Sequence, residues 1–363
     1  MVCIASFIVL LVMGAISAKY RPLLKKAWYC VTRRVTFRPC DTTFGDDVKT
    51  MLLAPLALKA PQWVKPAARA ITVFAWLMVI TTVVSLYAVV RSGLNLAVYG
   101  TCNKQNAEAC SLGALSCSIG VEHPTFTQSL FRGHIVTAFR DEFTNLADTI
   151  ATIPLRFRDW APENYLPPYA SFKGGYNPAL PTALDVIDPG CIICSQLFKN
   201  IEETELANHF NIAYLVYPIP NEDGTPHFPH SFTIANLLTA IRIHEYGTER
   251  ANDPTDWKLL ERIFTGYRPG DVVPNQQWLN EFATPETAHE QLVQWLNEFG
   301  YSPAEIDEVF VLADSQQVAD IVAQGRDVVR NEIRTVTIPT LLVPGHMYRG
   351  LATADQLRRA YTN

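Results

Sequence analysis

Two cysteines separated by two residues give this chain its clearest chemical signal. Cys191 and Cys194 follow an apolar run, Thr182–Ile187, and a turn sequence, Asp188–Gly190, and they precede an amphipathic stretch. The pattern predicts a strand, a tight turn and a helix that begins at the cysteines. There, unpaired backbone N–H groups and the helix dipole stabilise a thiolate and lower the pKa of the first cysteine. The spacing therefore predicts thiol–disulfide exchange, with Cys191 as the attacking thiolate and Cys194 as the resolving thiol.

Two other roles for the pair stay open on this pattern alone. Half of a zinc ribbon also has two cysteines at this spacing, although no second CxxC and no histidine pair follows at the distance of zinc ligands. A static structural disulfide between the two cysteines is the other alternative. The sequence also has no phosphate-binding loop, dinucleotide fingerprint or serine nucleophile elbow, so neither a metal nor an organic cofactor is expected.

The elements around the pair predict a mixed α/β domain over residues 181–363. A strand over 211–217 completes a βαβ unit with the CxxC helix. Several helices are expected over 231–306 and a further one over 315–330. An apolar strand over 335–343 and a closing helix over 353–361 follow. The strand contains a proline, Pro339, which indicates an edge or a bulge at that point.

This order of elements resembles the thioredoxin superfamily, and most of all its DsbA group of extracytoplasmic thiol-disulfide oxidoreductases. Three features carry the resemblance: the CxxC that opens a helix, the sequence Thr337–Thr340 before a strand, and an acid, Asp185, six residues before the first cysteine. The resemblance covers residues 181–363 only. It implies a thioredoxin-like fold with a helical insertion over about 229–330.

The resemblance also implies roles for individual residues. Asp185 would be a buried carboxylate that assists proton transfer at the second cysteine, and Pro339 would be a cis proline beside the CxxC pair. Thr337 and Ile338 would present backbone to an extended substrate peptide. From the residues alone, Asp185 and Asp188 have a simpler alternative, which is to cap or solvate the end of the strand.

Three further residues are expected to line the substrate site but depart from the family's usual sequence. Ile192 and Ile193 stand between the cysteines in place of Pro-His, Pro-Tyr or Gly-Pro, and Gly190 replaces an aromatic residue. The dipeptide tunes the stability of the thiolate. Because two isoleucines supply neither a donor nor a charge, the direction of electron flow stays open.

Three more cysteines, Cys102, Cys110 and Cys117, lie well before the CxxC pair. Three cysteines cannot all pair among themselves. One alternative is a structural disulfide that closes a small loop and leaves one thiol free or paired elsewhere. A metal site is the second alternative, with His123 as the nearest histidine. The third is that one of them is an exchange partner for the CxxC pair.

Two uncharged segments, residues 2–18 and 70–90, are long enough to span a bilayer as helices. The first has a cleaved signal peptide as its alternative, although it lacks the usual basic start. The second has a buried core helix as its alternative, although it shows no polar face. The sequence therefore predicts two transmembrane helices.

The charges orient these helices. The chain of 363 residues has a net charge of −5, yet residues 19–69 contain 11 Lys and Arg against 3 Asp and Glu, and the remainder contains 19 against 32. Basic loops are retained in the cytoplasm. The prediction is a two-pass cell-membrane protein with an extracytoplasmic C-terminal domain. A composition of 48% hydrophobic and 18% charged residues excludes a disordered or nucleic-acid-coating protein.

Three parts are therefore expected: a membrane anchor over 1–91, a connector over 92–180 and the thioredoxin-like domain over 181–363. The connector should contain an amphipathic helix over 126–150, and its six prolines within 154–181 predict an extended linker.

The predicted function is a membrane-anchored thiol-disulfide oxidoreductase that acts on extracytoplasmic protein thiols or disulfides. The alternative is a structural or assembly subunit of a membrane complex whose CxxC is a static disulfide. The expected partners are the lipid bilayer, substrate cysteines, and a membrane redox partner or larger complex. Nucleic acid is not expected.

Overall fold

The computed structural model describes residue 7 and residues 21–35, 43–104, 106–107, 114–119, 126–221, 223–268, 270 and 272–362. The chain divides into two compact units, residues 1–90 and 91–363. Each unit is described by itself below.

The first unit consists of helices in the part that the structure describes. They are α1 (Arg21–Val35), α2 (Thr43–Lys59), a single 3-10 turn (Pro61–Trp63) and α3 (Val64–Tyr99), whose last turns belong to the second unit. The stretch Pro61–Tyr99 is long and apolar enough to cross a membrane. Apolar side chains of α3 such as Val83 (61% exposed) and Val84 (59% exposed) are not buried by protein, unlike those of a core helix.

This helix contains the predicted second span, residues 70–90. In the described part of the chain it is the one candidate membrane span. The predicted first span, residues 2–18, lies outside the described residues apart from Phe7. Two transmembrane helices are therefore not confirmed.

The second unit is built on a four-stranded mixed sheet. Its strands are β2 (Thr182–Ile187), β3 (Asn211–Val216), β5 (Thr340–Val343) and β6 (His346–Arg349), in the order β3-β2-β5-β6. Strand β2 pairs parallel with β3 and antiparallel with β5, and β5 pairs antiparallel with β6. Every residue of β2 and β3 is buried, as expected for apolar parallel strands covered on both faces.

A second, two-stranded sheet joins β1 (Cys117–Ser118) antiparallel to β4 (Thr337–Ile338). The predicted strand over 335–343 is thus two strands, β4 and β5, because Pro339 separates them. The Ile338–Pro339 peptide bond is cis, as the family resemblance implies.

Helices surround the larger sheet. Helix α6 (Ile192–Glu203) joins β2 to β3, and a helical insertion follows β3. The insertion consists of α7 (Ser231–Glu245), α8 (Thr255–Thr265), α9 (Asn275–Glu281), α10 (Pro285–Glu298), α11 (Pro303–Ala313) and α12 (Gln316–Asp327), the last of which continues into a π-helical turn (Val328–Ile333). The unit ends with α13 (Ala354–Thr362). The order and pairing of β2, α6, β3, β5, β6 and α13 make this a thioredoxin-like fold with a helical insertion.

The region before β2 differs from the predicted connector in two respects. The expected helix over 126–150 is two helices, α4 (Phe126–Phe131) and α5 (Ile135–Thr152), because Gly133 between them adopts a positive φ of 80°. The proline-rich stretch forms two 3-10 turns, and its Trp160 and Tyr165 are each only 3% exposed within the core. It therefore packs against the domain instead of forming a free linker. The predicted boundaries at 91 and 180 stay predictions.

Candidate functional site

The candidate site lies where β2 ends and α6 begins. Cys191 is the N-cap residue of α6, and Cys194 lies in the first turn, where its N–H donates to the carbonyl of Cys191 at 3.0 Å. The Cys191 N–H donates back to the carbonyl of Asp188, also at 3.0 Å. A strand, a tight turn and a helix N-terminus thus place both cysteines as the sequence pattern predicts.

Asp188 fixes the turn that precedes the cysteines. Its side chain is fully buried and accepts hydrogen bonds from the N–H groups of Gly190 and Ile219, each at 2.7 Å, and from the Ser231 hydroxyl at 2.5 Å. Burial raises the pKa of this carboxyl to about 6, although its three donors act in the opposite direction. Asp188 thus caps the turn, as one expectation had it, but the expectation that water solvates it is wrong, because the side chain is fully buried.

The helical insertion holds the same turn from the other side. On helix α9, the Gln276 side-chain amide donates to the carbonyls of Pro189 (2.8 Å) and Cys191 (3.1 Å), and Asn280 donates to the carbonyl of Gly190 (2.8 Å). Three successive carbonyls of the turn are therefore bound by one helix. The insertion positions the CxxC loop as well as enlarging the domain.

Position 190 has no space for a side chain. A Cβ at this position would lie 2.3 Å from Cβ and 2.4 Å from Cγ of Phe228, so a side chain here would force Phe228 to move. This close approach explains why the sequence has a glycine at this position. Gly190 itself is buried.

The disulfide at the site joins one cysteine of the CxxC pair to a cysteine outside the pair. Cys191 is bonded to Cys117, 74 residues earlier in the chain, with 6.4 Å between the two Cα atoms. Cys194 is a free, buried thiol. A static bond between Cys191 and Cys194, which the sequence left open as an alternative, is absent, because Cys117 is the partner of Cys191.

The other two cysteines of the N-terminal group have different outcomes. Cys102 is also disulfide-bonded, and Cys110 lies outside the described residues. Of the two candidates for a structural disulfide that lie in the described residues, Cys102 and Cys117, Cys117 is the one at the CxxC pair.

Backbone pairing accompanies this bond. Cys117 lies opposite Ile338 and Ser118 lies opposite Thr337, directly before the cis proline. The Cys191 Sγ lies 4.0 Å from the Ile338 carbonyl oxygen. Thr337 and Ile338 are 2% and 0% exposed, because the strand containing Cys117 covers their edge. The sequence predicts Thr337 and Ile338 at the site, and in the structure the Cys117–Ser118 strand pairs with them.

The free thiol shares a buried environment with Asp185. Asp185 is 4% exposed, and burial raises the pKa of its carboxyl well above the usual range, with Oδ1 left without a hydrogen-bond partner. Burial also raises the pKa of the Cys194 thiol, and the nearby Asp185 carboxylate raises it further. The Asp188 N–H donates to Cys194 Sγ at 3.5 Å and acts in the opposite direction. Burial therefore favours the protonated form of each group, and the proximity of the two disfavours ionisation of both at once.

Of the two residues between the cysteines, Ile192 is 50% exposed, whereas Ile193 is partly buried and packs against the core. Ile192 is thus the side chain that faces outward beside the disulfide. The residues that sequence reasoning missed are the α9 pair Gln276 and Asn280, since an amide on a distant helix carries no recognisable spacing relative to the turn it binds.

No protein-family model matches the sequence, and no curated protein matches it. Several solved structures are similar in fold. The thiol-disulfide exchange protein alpha-DsbA2 from Wolbachia pipientis is 13% identical with a TM-score of 0.35, and the match covers 52% of this chain and 84% of that one. For alpha-DsbA1 from the same organism the identity is 13%, the TM-score 0.38 and the coverage 56% and 96%. For MdbA, a thiol-disulfide oxidoreductase from Corynebacterium diphtheriae, the values are 9%, 0.36, and 53% and 93%. The similarity to DsbA-like thiol-disulfide oxidoreductases thus extends over about half of this chain.

Proposed function

We propose that this chain is a membrane-anchored thiol-disulfide oxidoreductase that exchanges disulfides with extracytoplasmic protein cysteines through Cys191 and Cys194. One observation supports this above all. Cys191 forms a disulfide at the N-cap of a helix, and a free thiol, Cys194, lies one turn away in the same helix. A disulfide with a third sulfur at its side is the arrangement from which exchange proceeds.

The proposed chemistry balances in both directions. When a substrate disulfide is reduced, the Cys191 thiolate attacks one substrate sulfur, which forms a mixed disulfide and releases one substrate thiolate. The Asp185 carboxylate takes the proton from the Cys194 thiol. The Cys194 thiolate then attacks Cys191 Sγ, which releases the second substrate sulfur as a thiolate and leaves a Cys191–Cys194 disulfide. Substrate oxidation is the same sequence in reverse.

The substrate-binding residues in this proposal are those around the disulfide. Thr337 and Ile338 offer their backbone edge to an extended peptide, and Pro339 ends that edge beside Cys191. Ile192 is half exposed beside Cys191, so its side chain would contact substrate residues next to the reacting cysteine. The proposed extracytoplasmic location rests on the basic composition of residues 19–69 and on the apolar helix Pro61–Tyr99.

A second function has one observation in its favour. Cys117 and Cys191 are 6% and 0% exposed, so their bond is shielded from external thiols. A shielded disulfide fits a structural or assembly subunit of a membrane complex, in which the bond only fastens residues 114–119 to the domain. In that case neither Cys191 nor Cys194 would exchange with a substrate.

Single cysteine variants of the full chain in detergent micelles distinguish these functions. Cys191→Ser should abolish both insulin-type disulfide reduction and oxidation of a dithiol peptide, whereas Cys30→Ser, a matched substitution in the first unit, should retain both activities. Combined with Cys117→Ser, which frees Cys191, Cys194→Ser should accumulate mixed disulfides between Cys191 and substrate, because no resolving thiol is left. Activity that persists unchanged in Cys191→Ser contradicts the oxidoreductase proposal.

A further inference from the structure

The segment Ala114–Ile119 lies along the edge that precedes the cis proline. Its Ile119 N–H donates to the Val336 carbonyl at 3.1 Å, and the Leu351 N–H donates to its Leu115 carbonyl at 2.7 Å. Between these two bonds, Cys117 and Ser118 pair antiparallel with β4. The segment is thus bound chiefly through its main chain, which is how an extended peptide adds to a sheet edge.

At Gly350 the main chain of the segment approaches the domain closely. Gly350 has a φ of +74°, and a Cβ there would lie 2.8 Å from the Leu115 carbonyl oxygen. Glycine is therefore needed where the segment passes the domain. The Pro339 carbonyl is not an acceptor for the segment, because it already accepts a hydrogen bond from the Gly350 N–H at 2.9 Å.

The segment is not optimised as a permanent strand. Its pairing with β4 spans only two residues, and Leu115 is 63% exposed. The hydroxyl oxygens of Ser116 and Ser118 are buried without a hydrogen-bond partner. Each such group costs free energy that is recovered when the segment leaves.

From these contacts we propose that Ala114–Ile119 is a tethered substrate segment and that Cys117 is the third redox-active cysteine of the chain. External substrates then bind the same edge as extended peptides with small, uncharged residues on either side of their cysteine. This inference rests on the proposed function, since it assigns the substrate class and an internal exchange partner to the same site.

The internal step is a thiol–disulfide exchange with no net oxidation. The Cys194 thiolate attacks Cys191 Sγ, the Cys191–Cys194 bond forms and the Cys117–Cys191 bond breaks. Cys117 leaves as a thiolate and takes up the proton that Cys194 gave up. The result is a disulfide within the CxxC pair and a segment held only by its hydrogen bonds, so the edge becomes available to an external chain.

The size of the residues beside Cys117 indicates what an external substrate should look like. The segment reads Ala-Leu-Ser-Cys-Ser-Ile, and Ser116 and Cys117 are 7% and 6% exposed. Small side chains fit such a covered site, whereas charged ones would lose their hydration without gaining a partner. Peptides with serine on both sides of the cysteine should therefore exchange faster than peptides with glutamate there.

The first experiment follows the internal step. Oxidised full chain in detergent micelles is incubated without added thiol at pH 8, quenched with acid, denatured, alkylated and mapped by mass spectrometry. Wild type should show chains with alkylated Cys117 and an internal Cys191–Cys194 bond. Cys194→Ser should keep Cys117 bonded, whereas Ser195→Ala, the matched control on the next residue, should behave like wild type. Release of Cys117 in neither wild type nor the control, or equally in Cys194→Ser, overturns the inference.

The second experiment tests the substrate class in the Cys117→Ser variant after reduction and removal of the reductant, so that Cys191 is a free thiol. The probes are acetyl-ALSCSI-amide and acetyl-ALECEI-amide, each with glutathione on its cysteine, and each rate is normalised to the same peptide's reaction with dithiothreitol. The serine-flanked peptide should react about fivefold faster, an effect comparable to one hydrogen bond. Adding Ile119→Pro, which removes the N–H that binds Val336, should raise both rates, because it weakens the hold of the tethered segment.

The two proposals fail in different ways. If Cys117→Ser exchanges with neither peptide, the oxidoreductase function itself fails. If Cys117→Ser exchanges with both peptides equally and Ile119→Pro changes nothing, the function stands and the tethered-substrate inference fails.

Discussion

Replacing Asp188 by asparagine tests how the turn before Cys191 is held. Two effects compete at this carboxyl: burial disfavours the ionised form, and three donors favour it. The effect of burial is the larger, and the pKa therefore rises from the usual 3.8 to about 6. This rise in pKa corresponds to about 3 kcal/mol between the protonation states.

The sign of the pH dependence follows from that shift. The folded state binds the Asp188 proton more tightly than the unfolded state does. The stability that this proton contributes is therefore complete below about pH 4 and is lost as the pH rises through about 6. Asparagine does not titrate. The free energy of unfolding of wild type, minus that of Asp188→Asn, should thus fall by about 3 kcal/mol between about pH 3.5 and 7.

Protection of the buried Cys194 thiol provides the assay, since it reports on this domain alone. Full chain in detergent micelles is equilibrated in urea, pulsed with a disulfide reagent that reacts with thiols in acid, and mapped by mass spectrometry. Asp355→Asn, on the exposed face of the last helix, is the control, because its carboxylate only pairs with Arg358 at 3.3 Å. A wild-type advantage that grows with pH would show that the donors outweigh burial and would refute the reasoning.

The remaining predictions concern the rate of the Cys194 step and the packing of the turn. Because the pKa of Cys194 is raised well above its ordinary value, the rate of its attack on Cys191 should increase about tenfold per pH unit from about 7 to 9, without a plateau, in quenched alkylation time courses. Gly190→Ala should destabilise the domain by about 3 kcal/mol through its clash with Phe228, and in a double-mutant cycle Phe228→Ala should recover part of that loss. Gln276→Ala should slow substrate exchange by loosening two carbonyls of the turn, whereas Gln277→Ala on the same helix should not; equal rates would contradict the role of α9.

Local sequence was sufficient for the features that local physics determines. The run Thr182–Ile187, the turn and the amphipathic stretch predict strand, turn and helix, and the structure has the strand at those residues and the helix from Ile192. The placement of Cys191 at the helix N-cap follows from the same pattern. The cis bond before Pro339 required the family resemblance, because a proline in an apolar run is equally compatible with an edge or a bulge.

Contacts between distant parts of the chain were not predictable in the same way. The Cys117–Cys191 bond joins residues 74 apart, and no spacing rule selects one of three cysteines as its partner. Asp188 looked like a solvated turn residue, because the donors of Ile219 and Ser231 that surround it come from other elements. Apolar spacing predicts a single helix over 126–150, because the spacing of apolar residues does not reveal that Gly133 adopts a positive φ and ends the helix.

The most direct test of thiol–disulfide exchange at Cys191 is the reduction potential of its disulfide in the full chain. Titration in glutathione and dithiothreitol buffers, with alkylation and mass mapping of Cys117, Cys191 and Cys194, measures it bond by bond. An exchanging site should be half reduced at roughly −180 to −260 mV, within the range of glutathione buffers. A Cys117–Cys191 bond that stays intact below about −300 mV would be a structural disulfide and would contradict the proposed oxidoreductase.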